Sequence, residues 1–531
     1  MKTFLKRMTN KKNTGSYYTP SYLADFITKR VLTFLEQSTQ LSILEPSVGD
    51  GAFIEELEKV KNISINITAL DISADELEKA SNKWNEKKST FLNLDFLEYP
   101  SEGKFEAILG NPPYINKNRL TKKQIELSKE IHLNENLSEA SVKNIWTTFL
   151  VKSNTLLAND GVLAFVLPAE LLQVKFAEEI REYLKNEFER IEIFTFSDLM
   201  FDGIGQDTIV LFAYKKSEKK GEFFTNIKSK EDLEEANFTL TNNNLLVDSK
   251  IKWTHHFLTS DELEFLDKLK QRLKLANDYT ISKPGIVTAA NKFFILDLET
   301  AEKYELLNYT KPIIQKGLFV NGSVVFNEQD FLNIEKLKHP SRLLQLNDTD
   351  EISKSLGDYL AIGEKLEIPD RFKCRERNNW YVVPNISTKP DAFFFKRCHH
   401  YPKLLKNCSD AFVTDSAYKV EMRDGYDLNS FIYSFYNTLT LAFSEIEGRY
   451  YGGGVLELTP SEFKKLPIPY VEIDNKQFEN FTIQFESKGN IEQILSHNDF
   501  NILNSTLGLN AVELEKLGTI RTKLIAKRLR K

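Results

Sequence analysis

Five short apolar runs, at about residues 41–44, 65–70, 91–94, 105–110 and 162–167, alternate with stretches of helical periodicity. That alternation restricts the chain more than its composition does. It predicts an α/β fold built on a doubly wound, mostly parallel sheet. Ligands of such sheets sit beyond the carboxyl ends of the strands, where the strand order reverses. Four of the predicted strand ends are polar: Glu45, Asp71, Asp95 and Asn111.

The run at 105–110 leads into Asn111-Pro112-Pro113-Tyr114. Each proline fixes φ and lacks an N–H donor, so the segment makes a stiff ledge whose carbonyls stay available to a ligand. The Asn111 amide oxygen adds a second acceptor. Two acceptors beside a flat ring suit a planar group that bears an NH2. Taken alone, the tetrapeptide fits a proline turn closing a strand equally well.

Its neighbours decide between the two. The first strand ends in Glu45-Pro46-Ser47-Val48-Gly49-Asp50-Gly51, and Phe53, Ile54 and Leu57 then open an amphipathic helix. Gly49 and Gly51 permit a sharp turn and a close approach to a ligand. Asp71 ends the second strand, the position at which a ribose diol is held in this type of sheet. Glu45 is a second carboxylate over the same crevice. Asp95 ends the third strand, suited to accept from an adenine amino group, with Phe96 beside it to pack on the purine. No lysine follows the glycines in a phosphate-cradling arrangement, which argues against a nucleoside triphosphate.

The order Thr14-Gly15-Ser16-Tyr17-Tyr18-Thr19-Pro20, Glu45-Pro46-x-x-Gly49-x-Gly51-x-Phe53, Asp71, Asp95-Phe96 and Asn111-Pro112-Pro113-Tyr114 resembles the gamma class of S-adenosylmethionine-dependent DNA adenine-N6 methyltransferases. These are the modification enzymes of restriction–modification systems. Met200 to Phe212 adds a further match, with Phe201 as the counterpart of an aromatic that stacks on the flipped base. The resemblance implies that Glu45 and Asp71 hold the methionyl and ribose ends of the cofactor, beside Pro46, Gly49 and Gly51. Ile72, Asp95 and Phe96 would take its adenine, and Thr19 with the Tyr17-Tyr18 arm would lie over it. Asn111 and the Pro112 carbonyl would accept both hydrogens of the target amino group, with Pro113 stiffening the ledge. Tyr114 and Phe201 would sandwich the base. Transfer would be direct and in line, with no covalent enzyme intermediate and no metal. Gly285-Ile286-Val287-Thr288-Ala289-Ala290-Asn291, and Gly452-Gly453-Gly454 with Pro467-Ile468-Pro469, resemble pieces of the recognition region of larger members, which usually carry Gly where Ala289 stands.

At 531 residues the chain is long enough for two or three domains. Residues 1–240 are expected to form the catalytic domain and 251–531 a mixed α+β target-recognition region ending in a basic helix from about Val512. The polar insert 115–145 is expected to be a mobile helix–loop near DNA. No apolar run of 18 residues indicates a membrane span, and the basic N-terminus lacks the apolar stretch of a secretory signal. Three cysteines, Cys374, Cys398 and Cys408, lack metal-binding spacing and suggest a reduced, cytoplasmic setting.

The net charge of −6 does not favour nucleic acid overall. Residues 371–407, however, hold nine Lys or Arg against two acids, interleaved with aromatics. Arg371, Lys373, Arg375, Arg377, Lys396 and Arg397 are the DNA contacts expected there. Double-stranded DNA is thus the expected partner of a monomeric enzyme, with a cognate restriction endonuclease on a separate chain. The first motif begins at about residue 13, so a nuclease ahead of it on this chain is not expected. The alternative keeps the chemistry and changes the substrate, to the glutamine amide of a protein or an exocyclic amine of RNA.

Overall fold

The computed structural model describes residues 18–85, 89–197, 207–242, 252–320, 322–386, 388–451 and 453–529. The chain divides into two units, one of residues 1–260 with 451–453 and 530–531, the other of 261–450 with 454–529.

The first unit is built on a nine-stranded sheet. Its strands are β1 (Gln40–Glu45), β2 (Ser64–Asp71), β3 (Ser89–Asn93), β4 (Phe105–Gly110), β5 (Leu157–Pro168), β6 (Arg190–Phe196), β7 (Thr208–Tyr214), β8 (Gly221–Ile227) and β9 (Thr241–Asn242), in the order β3-β2-β1-β4-β5-β7-β6-β8-β9. The five strands from β3 to β5 run parallel, and β7 enters antiparallel beside β5. The doubly wound α/β sheet expected from the sequence is therefore present. Strand order reverses between β1 and β4, so the crevice of this sheet lies above their ends. Register brings Ile43 beside Ala107 and Leu44 beside Ile108.

Alternation along each strand sends neighbours to opposite faces. Leu44, Ile108, Leu163 and Phe165 belong to one core cluster with Trp146, Phe149 and Leu150. Ile43, Ala107, Leu109, Ala164 and Val166 belong to the other, with Leu23, Ile27 and Val31. The latter three lie on α1 (Ser21–Phe34), whose buried positions recur at helical spacing. Helix α2 (Ala52–Glu58) follows the glycine turn, and α3 (Ala74–Ser81) starts at Ser73, whose hydroxyl accepts from the Glu76 N–H.

The insert after β4 forms a helix, α4 (Lys122–Asn134), opened by a reciprocal capping box of Thr121 and Gln124. Rather than a loose loop, it packs Leu127 and Ile131 against the core. His132 is fully buried within bonding distance of Ser141 Oγ (2.7 Å) and Thr148 Oγ1 (3.2 Å). Burial pushes its imidazole down to about 4, so it stays neutral at ordinary pH. Helix α5 (Ile145–Leu156) then runs almost wholly buried into β5.

The second unit holds a five-stranded sheet of β10 (Thr280–Pro284), β11 (Val325–Asn327), β12 (Ala392–Phe395), β13 (Lys403–Cys408) and β14 (Ala417–Met422), in the order β10-β14-β12-β13-β11. Smaller sheets and helices surround it, including the short α6 (Phe372–Arg375) and α7 (Thr438–Glu447). The expected C-terminal helix is α8 (Ala511–Leu529). Near its end the buried Arg528 meets Glu445 of α7 through Nε (2.7 Å) and Nη2 (2.8 Å). A further donor, Nη1, reaches the His399 carbonyl (2.8 Å). That arginine is thereby fastened inside the unit. No described helix is long and apolar enough to cross a membrane.

Candidate cofactor and target-base site

The ends of β1 and β4 meet at the switch point. Gly110 at the end of β4 lies against the end of β1. A Cβ built on it would lie 3.6 Å from Pro46 Cδ and 3.9 Å from Glu45 Cγ. The Ser47 hydroxyl donates to the Asn111 carbonyl (3.2 Å), tying the two strand ends together. The glycine loop and the proline ledge are thus adjacent walls of one crevice.

The glycine turn is fixed from β2. Asp71 Oδ2 accepts from the Gly49 N–H (2.9 Å) and Oδ1 from the Ser73 N–H (2.8 Å). Gly51 has φ +80°, and a Cβ on it would fall 2.8 Å from Ala80 Cα of α3, so no side chain fits. Tyr18 lies over the turn, 3.8 Å from the position a Gly49 side chain would take. Thr19, half-buried, stands beside it immediately before α1.

Three acids share this corner, and burial raises all three. Glu45 is only 1% exposed, and its Oε2 is buried with no hydrogen-bond partner. Burial, and after it the charges of Asp71 and Asp50, hold its carboxyl well above the usual range. Asp71 is raised by burial, with the backbone N–H groups of Ser73 and Gly49 opposing. Asp50 is raised by burial, with Lys83 opposing. A buried acid with an unmatched oxygen, next to two others, favours a cationic guest.

Asp95 closes the third side. Its Oδ1 accepts from the Leu97 N–H (3.0 Å) and its Oδ2 from Gln124 Nε2 (2.9 Å). The Gln124 amide cannot turn freely, because its Oε1 accepts from the Thr121 N–H at 3.1 Å. From below, Lys152 of α5 donates to the carbonyls of Leu97 (2.8 Å) and Tyr99 (2.6 Å), and burial lowers its ammonium to about 8. The expectation for the Phe96 ring needs correction. It is 1% exposed, packed near Phe149 and under the Lys152 ammonium, so its face is turned into the core. The 3-10 turn that follows Asp95 directs it inward. Ile72, by contrast, is 62% exposed at the crevice end of β2.

On the ledge, Pro112 is buried, while Asn111, Pro113 and Tyr114 are half-buried. The Tyr114 hydroxyl donates toward Asn111 Oδ1 (2.9 Å) and the Val166 carbonyl of β5 (3.0 Å). The ring is thereby pinned at its far end, and the Asn111 amide is oriented. Phe201 lies outside the described residues.

The expected DNA contacts separate into two kinds. Arg371, Lys373 and Arg375 are exposed. Arg377 is engaged within the fold, with Nη2 on the Thr288 carbonyl (2.8 Å), Nη1 on the Trp380 carbonyl (3.0 Å) and its guanidinium over Phe294. Arg371 Nη1 holds the neighbouring Ala289 carbonyl (3.0 Å). Arg397 pairs with Glu457 at 2.5 Å, and Lys396 is half-buried at the end of β12.

Sequence reasoning missed Gln124, Ser47 and Lys152. Gln124 had a signal, the Thr-x-x-Gln spacing of a capping box. Lys152 had a weaker one, a lone charge in an apolar helix. Ser47 had none, since its role depends on a contact 64 residues away.

Comparison with known proteins accords with this geometry. Type II methyltransferase M.AccI of Acinetobacter calcoaceticus is 26% identical over 400 residues, covering 72% of this chain and 71% of the relative. Type II methyltransferase M.HindII of Haemophilus influenzae is 24% identical over 319 residues, covering 57% and 58%. Among solved structures, the DNA complex of the type IIL restriction-modification enzyme MmeI superposes with a TM-score of 0.61 at 13% identity, over 94% of this chain and 75% of that one; at such identity the likeness is one of fold. Residues 9–201 match the Eco57I restriction-modification methylase family, and residues 250–503 match the C-terminal domain of type II methyltransferase M.Eco57I. On these two matches, which take in both units, the chain belongs to the Eco57I family of type II restriction–modification DNA methyltransferases.

Proposed function

We propose that the chain transfers the methyl group of S-adenosylmethionine to the exocyclic N6 of an adenine flipped out of duplex DNA, protecting host DNA from a cognate endonuclease carried on a separate chain. One observation carries this reading: the proline ledge and the buried, unmatched Glu45 carboxylate face one crevice at the switch point of the sheet. The donor set fits the cofactor. Glu45 is suited to its ammonium, Asp71 to its ribose, and Asp95 with Ile72 to its adenine. When bound, S-adenosylmethionine supplies a methyl group already activated on sulfonium.

The remaining chemistry falls to the ledge. The lone pair of an adenine amino group is delocalised into the ring, so the nitrogen is a poor nucleophile. Asn111 Oδ1 and the Pro112 carbonyl, accepting both hydrogens, draw that nitrogen toward a tetrahedral geometry and gather negative charge on it. Positioning then supplies most of the remaining rate. Flipping the base costs a few kcal/mol. Stacking of the base on Tyr114 and Phe201 offsets about 1–3 kcal/mol of it. In this reading residues 1–240 carry catalysis and residues 251–531 select the target, the exposed Arg371, Lys373 and Arg375 contributing to DNA affinity, in a monomer. Tritiated cofactor offered with duplex DNA, ribosomal RNA and protein tests the substrate class. Incorporation into DNA is expected, and incorporation only into RNA or protein would overturn the proposal.

A further inference from the structure

Lys152 is the only charged side chain on α5, and it is 4% exposed. Its ammonium meets the 3-10 turn Phe96–Glu98 that follows Asp95. Two residues of α5 at i, i+3 spacing grip that turn from one face of the helix. The Phe149 ring packs on Phe96 with centroids 4.9 Å apart. Lys152 Nζ donates to the carbonyls of Leu97 (2.8 Å) and Tyr99 (2.6 Å). The last carbonyls of a helical turn lack donors of their own, so a donor brought from another element helps decide where the turn sits.

The other end of the same turn is Asp95. Leu97 joins the two ends, its N–H reaching Asp95 Oδ1 (3.0 Å) and its carbonyl reaching Lys152. A shift at the Lys152 end therefore passes through one residue to the carboxylate at the crevice. A hydroxyl, with one proton, could serve only one of these carbonyls. The ammonium serves both, and it sets a positive charge behind Asp95 and Glu98, the acids that face it. On α4, Lys123 is paired with Glu98 (2.6 Å) and His132 is neutral. Burial raises the Tyr99 phenol, so it stays protonated beside them.

We propose that Lys152 is a positioning residue for the cofactor, fixing the turn that aims the Asp95 carboxylate at the amino group of the cofactor's adenine. The assignment rests on the S-adenosylmethionine reading above. A purine covering Asp95 displaces water from the carboxylate and strengthens its attraction to the ammonium behind it. The bound state thus favours the charged form of Lys152. Burial has brought that ammonium down to about 8, with Asp95 and Glu98 opposing. Affinity for the adenine is then full below about 8 and falls as pH rises through that value.

The probe is 5′-methylthioadenosine, which keeps the adenine and ribose of the cofactor and lacks its titratable α-amino and carboxyl groups. Calorimetric titration of the full-length wild-type protein is expected to give an affinity that is flat at neutral pH and declines above about 8. Lys152→Met, which keeps the length of the stem, should weaken binding at neutral pH and abolish the alkaline decline. It should also cut the preference for 5′-methylthioadenosine over 5′-methylthioinosine, whose purine bears a carbonyl in place of the amino group, by about tenfold, the size of one charge-assisted hydrogen bond. In methyl transfer the variant should raise the cofactor KM with kcat little changed. A lysine that only braced the core would lower the melting temperature and leave purine preference and pH profile as they were. Wild-type binding that does not change with pH, a measurement that needs no variant to fold, would overturn the role of Lys152 and leave the cofactor reading intact. Unchanged purine preference in Lys152→Met would do the same. Wild-type protein that binds neither 5′-methylthioadenosine nor S-adenosylmethionine would overturn the cofactor reading and the role of Lys152 with it.

Discussion

Glu45 lies buried beside Asp71 and Asp50, and its Oε2 has no partner. Its folded pKa is raised, chiefly by burial, so its contribution to stability is present below the ordinary carboxylate value of 4.5 and is lost as pH rises toward the folded value. The unliganded protein is therefore expected to lose stability across that window. Glu45→Gln should remove the loss and raise the melting temperature at neutral pH. It should also weaken cofactor binding by about 1.5–3 kcal/mol, the range for a hydrogen bond to a charged group. Calorimetry in buffers of different ionisation enthalpy should find proton release on cofactor binding in the wild type and little in the variant; equal cofactor affinity in both would remove Glu45 from the site. Ala289 is a second residue whose conformation is informative. Its φ of +68° is in the left-handed region, which costs a non-glycine residue about 1–2 kcal/mol, and Arg371 and Arg377 hold the loop in that shape. Ala289→Gly is expected to stabilise the protein by about 1 kcal/mol, read from the urea midpoint. An unchanged midpoint would mean that the loop adopts another backbone in solution. The identity of Ala289 is read directly from the sequence, but the backbone angle that makes it matter is not.

At the scale of elements, α4 links the ledge to the cofactor crevice. Its first turn orients Gln124 through the capping box, and Gln124 in turn holds Asp95 Oδ2. Gln124 is thus a positioning residue. Gln124→Ala is expected to raise the cofactor KM several-fold with kcat little changed. In an Asp95→Ala background the same substitution should have no further effect, and an additive loss in the double variant would show that Gln124 acts elsewhere. The strands themselves were legible. The run at 105–110 marks β4 to the residue, because its apolar content stops where Asn111 and the prolines begin. The fifth strand begins earlier than its apolar run. Leu157 pairs with Phe105, but the next pair is Val162 with Ala107, so the polar Asn159 and Asp160 fall in an irregularity of the ladder that periodicity alone reads as a break. The inward turn of Phe96 was not legible, since alternation along a strand does not extend into the 3-10 turn after Asp95. The capping-box spacing of Gln124 was visible, but its hold on Asp95 was not. Its partner is 29 residues away, and only the folded chain brings them together.

For the whole molecule, legibility falls between the first unit and the second. Long strands with polar ends announced the sheet and its crevice. The second unit is assembled from strands of two to six residues spread over several sheets, too short to show a period. Charge counting found its basic segment but could not separate side chains that hold the fold, such as Arg377, from those left exposed. What unites the account is one chemical claim, that Asn111 and the ledge activate an adenine amino group for methylation. The most direct measurement is expression in a host lacking DNA methylation, followed by single-molecule sequencing of the host genome. The wild-type chain is expected to leave N6-methyladenine at one defined sequence. Asn111→Ala, which keeps the cofactor carboxylates, should reduce modification by about 100-fold or more. Modification that persists in Asn111→Ala, or that falls on a base other than adenine, would contradict the account.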